Sequence, residues 1–292
     1  MGLAIGTLLA LLLSVNTEER VWVLLHGVGG SGRDWRYVVR ELGQVEPLVL
    51  RPSLPNRAGL FSWAENVVEF FAQSGLLERE DRSVYIVAHS FSGAVVLFLL
   101  RTAYELAHQN LSSLETQLVC AQVRGRAARA CQQIKSGWRA LLADPQQAQR
   151  WVRVAWKIEH VFLYHPALRG ACGADLDFLG LGGDATASLQ LLEQLHDFFY
   201  LPIAHITWDG QVTITNLYGG KAFMISLCGF SANDSMLSYE QQRLAREAPG
   251  YRELFFDRRS HFDFAFSPTA GRQLAHALRK LSHTQELTGG GL

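Results

Sequence analysis

Short apolar runs of the kind that form buried β-strands recur along the chain, and each ends at polar or glycine-rich residues. Between several of them, apolar residues lie at helical spacing, as Trp35, Val38 and Leu42 do. This alternation predicts an α/β fold with a mostly parallel central sheet flanked by helices. The predicted strands are residues 21–25, 47–50, 83–88, 160–164, 222–227 and 253–256.

Two stretches are longer than a minimal sheet of this kind requires. Residues 110–157 are helix-prone and rich in Ala, Gln and Arg, and residues 168–220 contain a glycine-rich turn and a further helical pattern. Inside the second stretch, residues 205–215 alternate in polarity around Asp209-Gly210, which predicts a hairpin with a type I′ turn. We interpret both stretches as insertions that cover the sheet.

The domain organisation that follows is simple. An apolar segment occupies residues 1–20, one α/β domain occupies residues 21–281, and a tail occupies residues 282–292. The length of 292 residues and a hydrophobic content of 48% suffice for a substantial core.

The charge balance argues against a nucleic-acid partner. Lys plus Arg and Asp plus Glu both count 27, so the net charge is zero, and no basic block or stripe is present. The four cysteines, at positions 120, 131, 172 and 228, lack the spacing of a zinc site. A continuous helix would hold Cys120 and Cys131 three turns apart, beyond disulfide reach, so we expect buried free thiols.

The first residues leave the location of the protein open. Residues 3–15 are apolar, too short to span a bilayer comfortably, and without Lys or Arg before them. A signal-peptide core, a membrane-dipping anchor and a buried first segment all fit this pattern. An anchor or a signal would make the protein membrane-associated or secreted; otherwise it would be cytoplasmic.

Residues 84–100 join an apolar strand pattern to a helix pattern through the polar sequence His-Ser-Phe-Ser-Gly. This pattern predicts that Ser90 lies on a sharp turn above the sheet edge, with its hydroxyl exposed. The positive end of the helix dipole and the backbone N–H of Phe91 would then face an oxyanion on a substrate carbonyl. A serine in such a turn is more often a helix N-cap than a nucleophile, so the motif alone does not decide.

A second motif follows the first strand. The sequence HGVGGSG at residues 26–32 would let backbone N–H groups, above all that of Val28, approach the same oxyanion. An ordinary glycine turn and a phosphate-binding loop are the alternatives. The phosphate loop lacks its Gly-Lys-Ser/Thr ending here.

A serine hydroxyl needs a base, and the base needs an acidic group to fix its tautomer. Asp234 comes a few residues after one predicted strand, and His261 lies in a loop after the next. The order Ser, Asp, His along the chain places all three at the same ends of the strands.

Taken in order, these four motifs resemble the α/β-hydrolase superfamily, and within it the lipase-like serine esterases. The resemblance implies an α/β-hydrolase fold with helical cap insertions, Ser90 as nucleophile, His261 as general base and then acid, and Asp234 as the group that orients it. It covers about 21–281 apart from the insertions. The motifs are His26-Gly27 with the glycines after it, residues 88–92, Gly229 with Asp234, and Ser260-His261.

The chain departs from the family pattern at one place. Ala88 and Ser92 replace the two glycines of the usual Gly-x-Ser-x-Gly turn, and their additional atoms are expected to crowd it. Ser92, two positions after Ser90, is also a rival nucleophile. The rival acids are Asp257, Asp263 and Asp209, and the remaining histidines at positions 89, 165, 205 and 276 are expected to serve packing, turns or the surface.

The resulting hypothesis is a serine hydrolase that cleaves carboxylic esters through an acyl-enzyme, with an acyl ester or lipid as substrate and with no metal or cofactor. Aromatic residues of the insertions, such as those at 195–203, would form an apolar lid or acyl pocket or would pack the core of the cap. The alternative is a catalytically weak or inactive scaffold that binds a lipid or a protein. The missing glycines and the apolar first segment motivate it.

Overall fold

A computed structural model describes most of the chain: residues 20–55, 57–79, 83–171, 174, 183–226, 229–246, 248–256 and 258–289, with the side chains of 221–233 and 284–289 left undescribed. Several features of the sequence lie outside the described residues. These are the apolar segment 3–15, most of the glycine-rich turn near residue 181, Cys172, Cys228 and the rival acid Asp257.

Six parallel strands form the central sheet, in the spatial order β2-β1-β3-β4-β5-β8, and β6 and β7 form a separate antiparallel pair. This arrangement confirms the predicted α/β fold. The strands are β1 (Val21–Leu25), β2 (Leu48–Leu50), β3 (Val84–His89), β4 (Ile158–Tyr164), β5 (Thr213–Tyr218), β6 (Lys221–Ser226), β7 (Gly229–Asn233) and β8 (Tyr251–Phe255).

Both faces of the sheet are covered, which is why the inner strands β1 and β3 read as almost continuous apolar runs. In β1, Val21, Val23 and Leu25 enter one core cluster, whereas Trp22 and Leu24 enter the other. This alternation follows from the two-residue period of a strand.

The two clusters belong to two layers of helices. The first helix and the last two cover one face, and the helices that follow β2, β3 and β4 contribute to the other cluster. The helices are α1 (Arg36–Leu42), α2 (Leu60–Gln73), α3 (Phe91–Ala107), α4 (Leu111–Gln117), α5 (Ala127–Ala143), α6 (Pro145–Lys157), α7 (Gly183–Tyr200), α8 (Ile203–Ile206), α9 (Tyr239–Gln242), α10 (Asp263–Phe266) and α11 (Pro268–Gly289). Among the described residues, no helix has both the length and the apolar character needed to cross a bilayer.

Two predictions about strands are wrong. The described part of the strand predicted at 222–227, residues 222–226, belongs to the antiparallel pair and not to the main sheet. In the main sheet, β5 lies next to β4. The predicted hairpin at 205–215 does not form either, because α8 and a 3₁₀ turn at Trp208–Gly210 precede β5. Asp209 and Gly210 do adopt positive φ angles, 55° and 94°, so the sequence marked a tight turn but not a hairpin.

Two predicted boundaries also differ from the structure. The insertion predicted at 168–220 includes β5, which is a strand of the main sheet. The helix α11 continues to Gly289, past the predicted start of the tail at residue 282.

Cys120 and Cys131 form a disulfide, so the expectation of free thiols at these two positions is wrong. The prediction assumed one helix through both residues. Instead, Cys120 lies in a 3₁₀ turn, α5 begins only at Ala127, and Gly125 between them has a φ of 63°. The chain therefore turns back, and the two Cα atoms are 5.6 Å apart.

Removing this disulfide should lower the free energy of unfolding by about 3 kcal/mol, because the bridge restricts a short loop in the unfolded chain. The measurement is urea unfolding of a Cys120→Ser, Cys131→Ser double variant. The Cys120→Ser variant alone should lose as much, since either change breaks the bridge. A double variant as stable as the unmodified protein would contradict the prediction.

Candidate active site

Ser90 lies between the end of β3 and the start of α3, with φ 56° and ψ −127°. A residue with a side chain rarely adopts a positive φ, and such strained positions cluster at functional sites. Ser90 stands at the N-cap position of α3, yet its side chain makes no capping hydrogen bond. The interpretation of this serine as an ordinary helix cap is therefore not supported.

Backbone hydrogen bonds hold this turn against the end of β4. The N–H of Ser90 donates to the carbonyl of Tyr164 at 3.2 Å, and the N–H of Ala167 donates to the carbonyl of Ser90 at 3.0 Å. The close approach also requires a glycine one turn into α3, because a Cβ on Gly93 would lie 2.6 Å from the Cβ of Pro166. The glycine of this motif is thus displaced along the sequence to position 93.

The two departures from the glycine pattern are accommodated. Ala88 is a buried strand residue paired with Leu25 and Leu163. Ser92 is fully buried, and its hydroxyl donates a short hydrogen bond to the carbonyl of His26. Because its hydroxyl is engaged in this way, Ser92 is a poor candidate for the nucleophile.

The glycine-rich loop after β1 packs directly on Ser90. A Cβ on Gly27 would lie 2.7 Å from the Cβ of Ser90 and 3.2 Å from its Oγ, so only glycine fits there. A hydrogen bond of 3.1 Å from the Gly30 N–H to the Gly27 carbonyl closes a tight turn. Val28 lies inside this turn, and Phe91 is the first residue of α3, so both predicted oxyanion donors belong to segments that adjoin Ser90.

Asp234 and His261 meet as the sequence predicts. The His261 Nδ1–H donates to Asp234 Oδ2 at 2.6 Å, and the His261 backbone N–H donates to the Asp234 carbonyl at 2.7 Å. Both side chains are buried. Asp234 directly follows β7 and His261 follows β8, which places the pair on loops beyond the sheet.

His89 links this pair to the serine turn. It immediately precedes Ser90, its ring centroid lies 4.5 Å from that of His261, and its Nε2–H donates to the His261 carbonyl at 3.0 Å. A direct hydrogen bond between the Ser90 hydroxyl and the His261 ring is not formed, although both residues are described.

The sequence pattern of the chain matches that of the family described as the alpha/beta hydrolase family over residues 22–277. The chain belongs to this family. No curated protein sequence matches it. Among solved structures, the mature lipase BlEst2 of Bacillus licheniformis superposes with a TM-score of 0.51 at 16% identity, over 84% of this chain and 86% of that one.

Two further structures are similar at lower scores. A metagenomic carboxyl esterase has a TM-score of 0.47 at 14% identity, over 90% of this chain and 76% of that one. The phospholipase PlaB of Legionella pneumophila has 0.47 at 12% identity, over 77% of this chain and 44% of that one.

In this alpha/beta hydrolase His89 and His165 are packed in the interior, as one of the expected roles requires, but both also contact the candidate site. His165 is fully buried, and its Nδ1 lies 3.0 Å from Asp234 Oδ2. Both residues occupy strand ends at the same sheet edge as Ser90: His89 ends β3, and His165 follows β4. That position was visible in the sequence, and it is the signal that could have identified them.

Burial and charge act in opposite directions on the buried groups of this hydrolase. Burial alone would raise the pKa of Asp234, but the charge of His261 and the hydrogen bonds from His165 and His261 lower it below its usual value. Burial lowers the pKa of His89 well below 6.5, and the neighbouring charges of His261 and His165 lower it further. Asp234 is therefore ionised and His89 neutral at pH 7.

Buried neutral histidines predict that the hydrolase loses stability as the pH falls. Burial also lowers the pKa of His26, and burial with the charge of Arg252 lowers that of His160 to about 3. Above pH 6.5 these groups are neutral in both states; below it, the unfolded chain binds protons that the folded chain does not. At pH 5, a histidine that stays neutral when folded therefore lowers the free energy of unfolding by about 2 kcal/mol.

Urea unfolding at pH 7.5 and pH 5 measures this loss. The His160→Gln variant keeps a polar atom near Thr215, whose Oγ1 lies 3.2 Å from His160 Nε2, but does not titrate. Its loss between the two pH values should be smaller by about 2 kcal/mol. An equal loss in the variant would contradict the assignment.

His165, Asp234 and His261 are also the described residues whose side chains could together hold a metal ion. Two of them already share a hydrogen bond, from His261 Nδ1 to Asp234 Oδ2 at 2.6 Å, and His165 Nδ1 lies 3.0 Å from the same oxygen.

The described rivals of Asp234 have other partners. Asp263 accepts the backbone N–H of Ser260 at 3.1 Å, and Asp209 accepts the hydroxyl of Tyr104 at 3.0 Å. His205 pairs with Glu105 at 2.8 Å. Asp263 is therefore bonded within the loop that contains His261. Asp209 and His205 are bonded to Tyr104 and Glu105, near the C-terminal end of α3.

Proposed function

We propose that this alpha/beta hydrolase cleaves carboxylic esters through an acyl-enzyme, with Ser90, His261 and Asp234 as its catalytic triad. The observation that carries the proposal is the backbone of Ser90, which is held at φ 56° between strand and helix while its hydroxyl caps nothing. The buried His261–Asp234 pair, in contact with His89 beside the serine, supports it.

The first step is attack by the Ser90 Oγ on the acyl carbon of the ester, with transfer of the hydroxyl proton to His261. Because the Nδ1–H of His261 donates to Asp234, the Nε2 atom is left as the proton acceptor. The ionised Asp234 then stabilises the imidazolium that forms.

Backbone N–H groups would stabilise the negative charge on the tetrahedral intermediate. The N–H of Phe91, in the first turn of α3, has no partner within the helix, and the positive end of the helix dipole adds to it. The N–H of Val28 would supply a second donor, which the contact of Gly27 with Ser90 supports.

In the second step, His261 returns its proton to the leaving alkoxide, the ester C–O bond breaks, and the alcohol departs. In the last step, a water attacks the acyl-enzyme and passes a proton to His261. The acid is released, and the proton returns to the Ser90 oxygen, which restores the hydroxyl.

The apolar sequence of the insertions, as at residues 195–203, motivates the choice of an ester with an apolar acyl group. The similarity in fold to a lipase agrees with this choice. The aromatic residues at the end of α7 are themselves committed to packing: Phe199 contacts Phe98, and the Tyr200 hydroxyl donates to the Ala94 carbonyl at 3.3 Å. Phe199 and Tyr200 thus attach the end of α7 to α3, so the acyl chain would be bound by other groups.

A fluorophosphonate probe tests the proposal, because it reacts with activated serines of this kind. We expect mass spectrometry to locate the label on Ser90, and the Ser92→Ala variant to be labelled equally. A panel of short- and long-chain p-nitrophenyl esters gives the corresponding turnover. Saturable binding of esters without turnover or labelling would instead support the scaffold hypothesis.

A further inference from the structure

His165 is a buried polar residue that the mechanism above does not use. It follows β4 in the left-handed backbone region, at φ 45°, and its N–H donates to the carbonyl of Leu217 at 3.0 Å. Its ring stacks on Tyr164, with centroids 4.3 Å apart. A strained backbone and a fully buried ring hold this side chain in one orientation.

That orientation brings His165 to the carboxylate of Asp234. An ionised carboxylate has about four acceptor positions. The Asp234 Oδ1 atom accepts the N–H groups of Met236 at 3.0 Å and Leu237 at 2.8 Å. The Oδ2 atom has His261 Nδ1 at 2.6 Å and His165 Nδ1 at 3.0 Å. His165 thus lies against the same oxygen as the proposed general base.

We propose that His165 is a positioning residue, which shares Asp234 Oδ2 with His261 and so sets the orientation of the carboxylate and the basicity of His261. This inference rests on the proposed function, since it assigns His261 as the base. His165 itself touches neither Ser90 nor a substrate in this role.

The direction of the effect follows from the charge of the site. The groups that face His261 are Asp234 beyond β7, His165 beyond β4 and His89 at the end of β3. Asp234 carries the negative charge among them, and the Nδ1 group of His165, 3.0 Å from Oδ2, offsets part of the charge that would otherwise act on His261. Loss of this donor leaves the Oδ2 atom of Asp234 to His261 alone, so protonated His261 becomes more stable.

Two substitutions distinguish the effect of the N–H donor of His165 from the effect of its ring. His165→Leu removes the N–H donor at similar size, whereas His165→Asn keeps an amide N–H near the Nδ1 position. An NMR titration of the imidazole signals, with His261 assigned by comparison with His261→Gln, reads the effect without any turnover. We expect the titration midpoint of His261 to be higher in His165→Leu than in the unmodified protein. The midpoint should stay at its original value in His165→Asn.

The pH dependence of kcat/KM gives a second measurement. Its acid limb should move upward with the titration of His261 in His165→Leu, with KM for the ester unchanged. If His165→Leu does not fold, His165→Gln replaces it, because its longer side chain carries the amide beyond the Nδ1 position.

Two results would overturn the inference: a His261 midpoint that is the same in all variants, or an equal shift in His165→Asn and His165→Leu. Failure of the proposed function is a different outcome. It would appear as an absence of probe labelling and turnover in the unmodified protein, while the NMR titration still reports whether His165 acts on His261.

Discussion

We expect replacement of Ser90 by alanine to lower kcat for a p-nitrophenyl ester by about 10⁶-fold, as loss of the serine does in a well-studied protease triad. The variant should keep the fold, because the Ser90 side chain makes no capping hydrogen bond and the backbone bonds to Tyr164 and Ala167 do not involve it. What is lost is the covalent route, so the remaining rate comes from substrate binding and the oxyanion donors. Steady-state kinetics and fluorophosphonate labelling measure the change.

The matched control is the serine two positions along. Ser92→Ala removes the hydrogen bond to the His26 carbonyl, which lowers the free energy of unfolding by about 1–3 kcal/mol, but labelling and ester turnover should continue. The opposite pattern, in which Ser92→Ala abolishes labelling and Ser90→Ala does not, would identify Ser92 as the nucleophile and refute the assignment of Ser90.

The His261→Ala variant should lose about as much activity as Ser90→Ala, on the order of 10⁶-fold in kcat. Without the imidazole, nothing accepts the proton of the Ser90 hydroxyl, and Asp234 is left with its His165 contact but no base to orient. Since the two residues act as one unit, the double variant Ser90→Ala, His261→Ala should be no less active than either single variant. Kinetics on the three variants with one ester measure this.

His276→Ala is the control for this change, because His276 is exposed on α11 and should not affect turnover. Losses that multiply in the double variant would show that Ser90 and His261 act independently, and the triad would then be wrong.

The parts of the fold that the sequence predicts well are those in which both faces of a strand are apolar. β1 is predicted at its observed bounds and β3 within one residue, because every residue of these strands is buried. β5 was missed since its middle is polar: Thr215 and Asn216 are fully buried and bonded to neighbouring side chains. A single-sequence pattern cannot distinguish such a strand from a surface segment.

The site was predictable to the extent that local motifs define it. The strand-to-helix turn at Ser90 and the order of Asp234 and His261 follow from the sequence, and the structure brings the last two together. The role of His165 does not follow, because the 3.0 Å contact with Asp234 joins residues about 70 positions apart through the order of the strands. The disulfide was missed for a related reason, since its formation depends on a chain reversal at Gly125.

At position 90, the stability of the fold and the proposed activity favour different residues, because of the backbone conformation of Ser90. Holding a residue with a side chain at φ 56° and ψ −127° costs on the order of 1–3 kcal/mol, and glycine would be free of most of it. Selection for heat tolerance would therefore favour glycine at residue 90, whereas selection for turnover would retain the hydroxyl. A serine kept there in related lineages would indicate that hydrolysis, and not robustness of the fold, has been under selection.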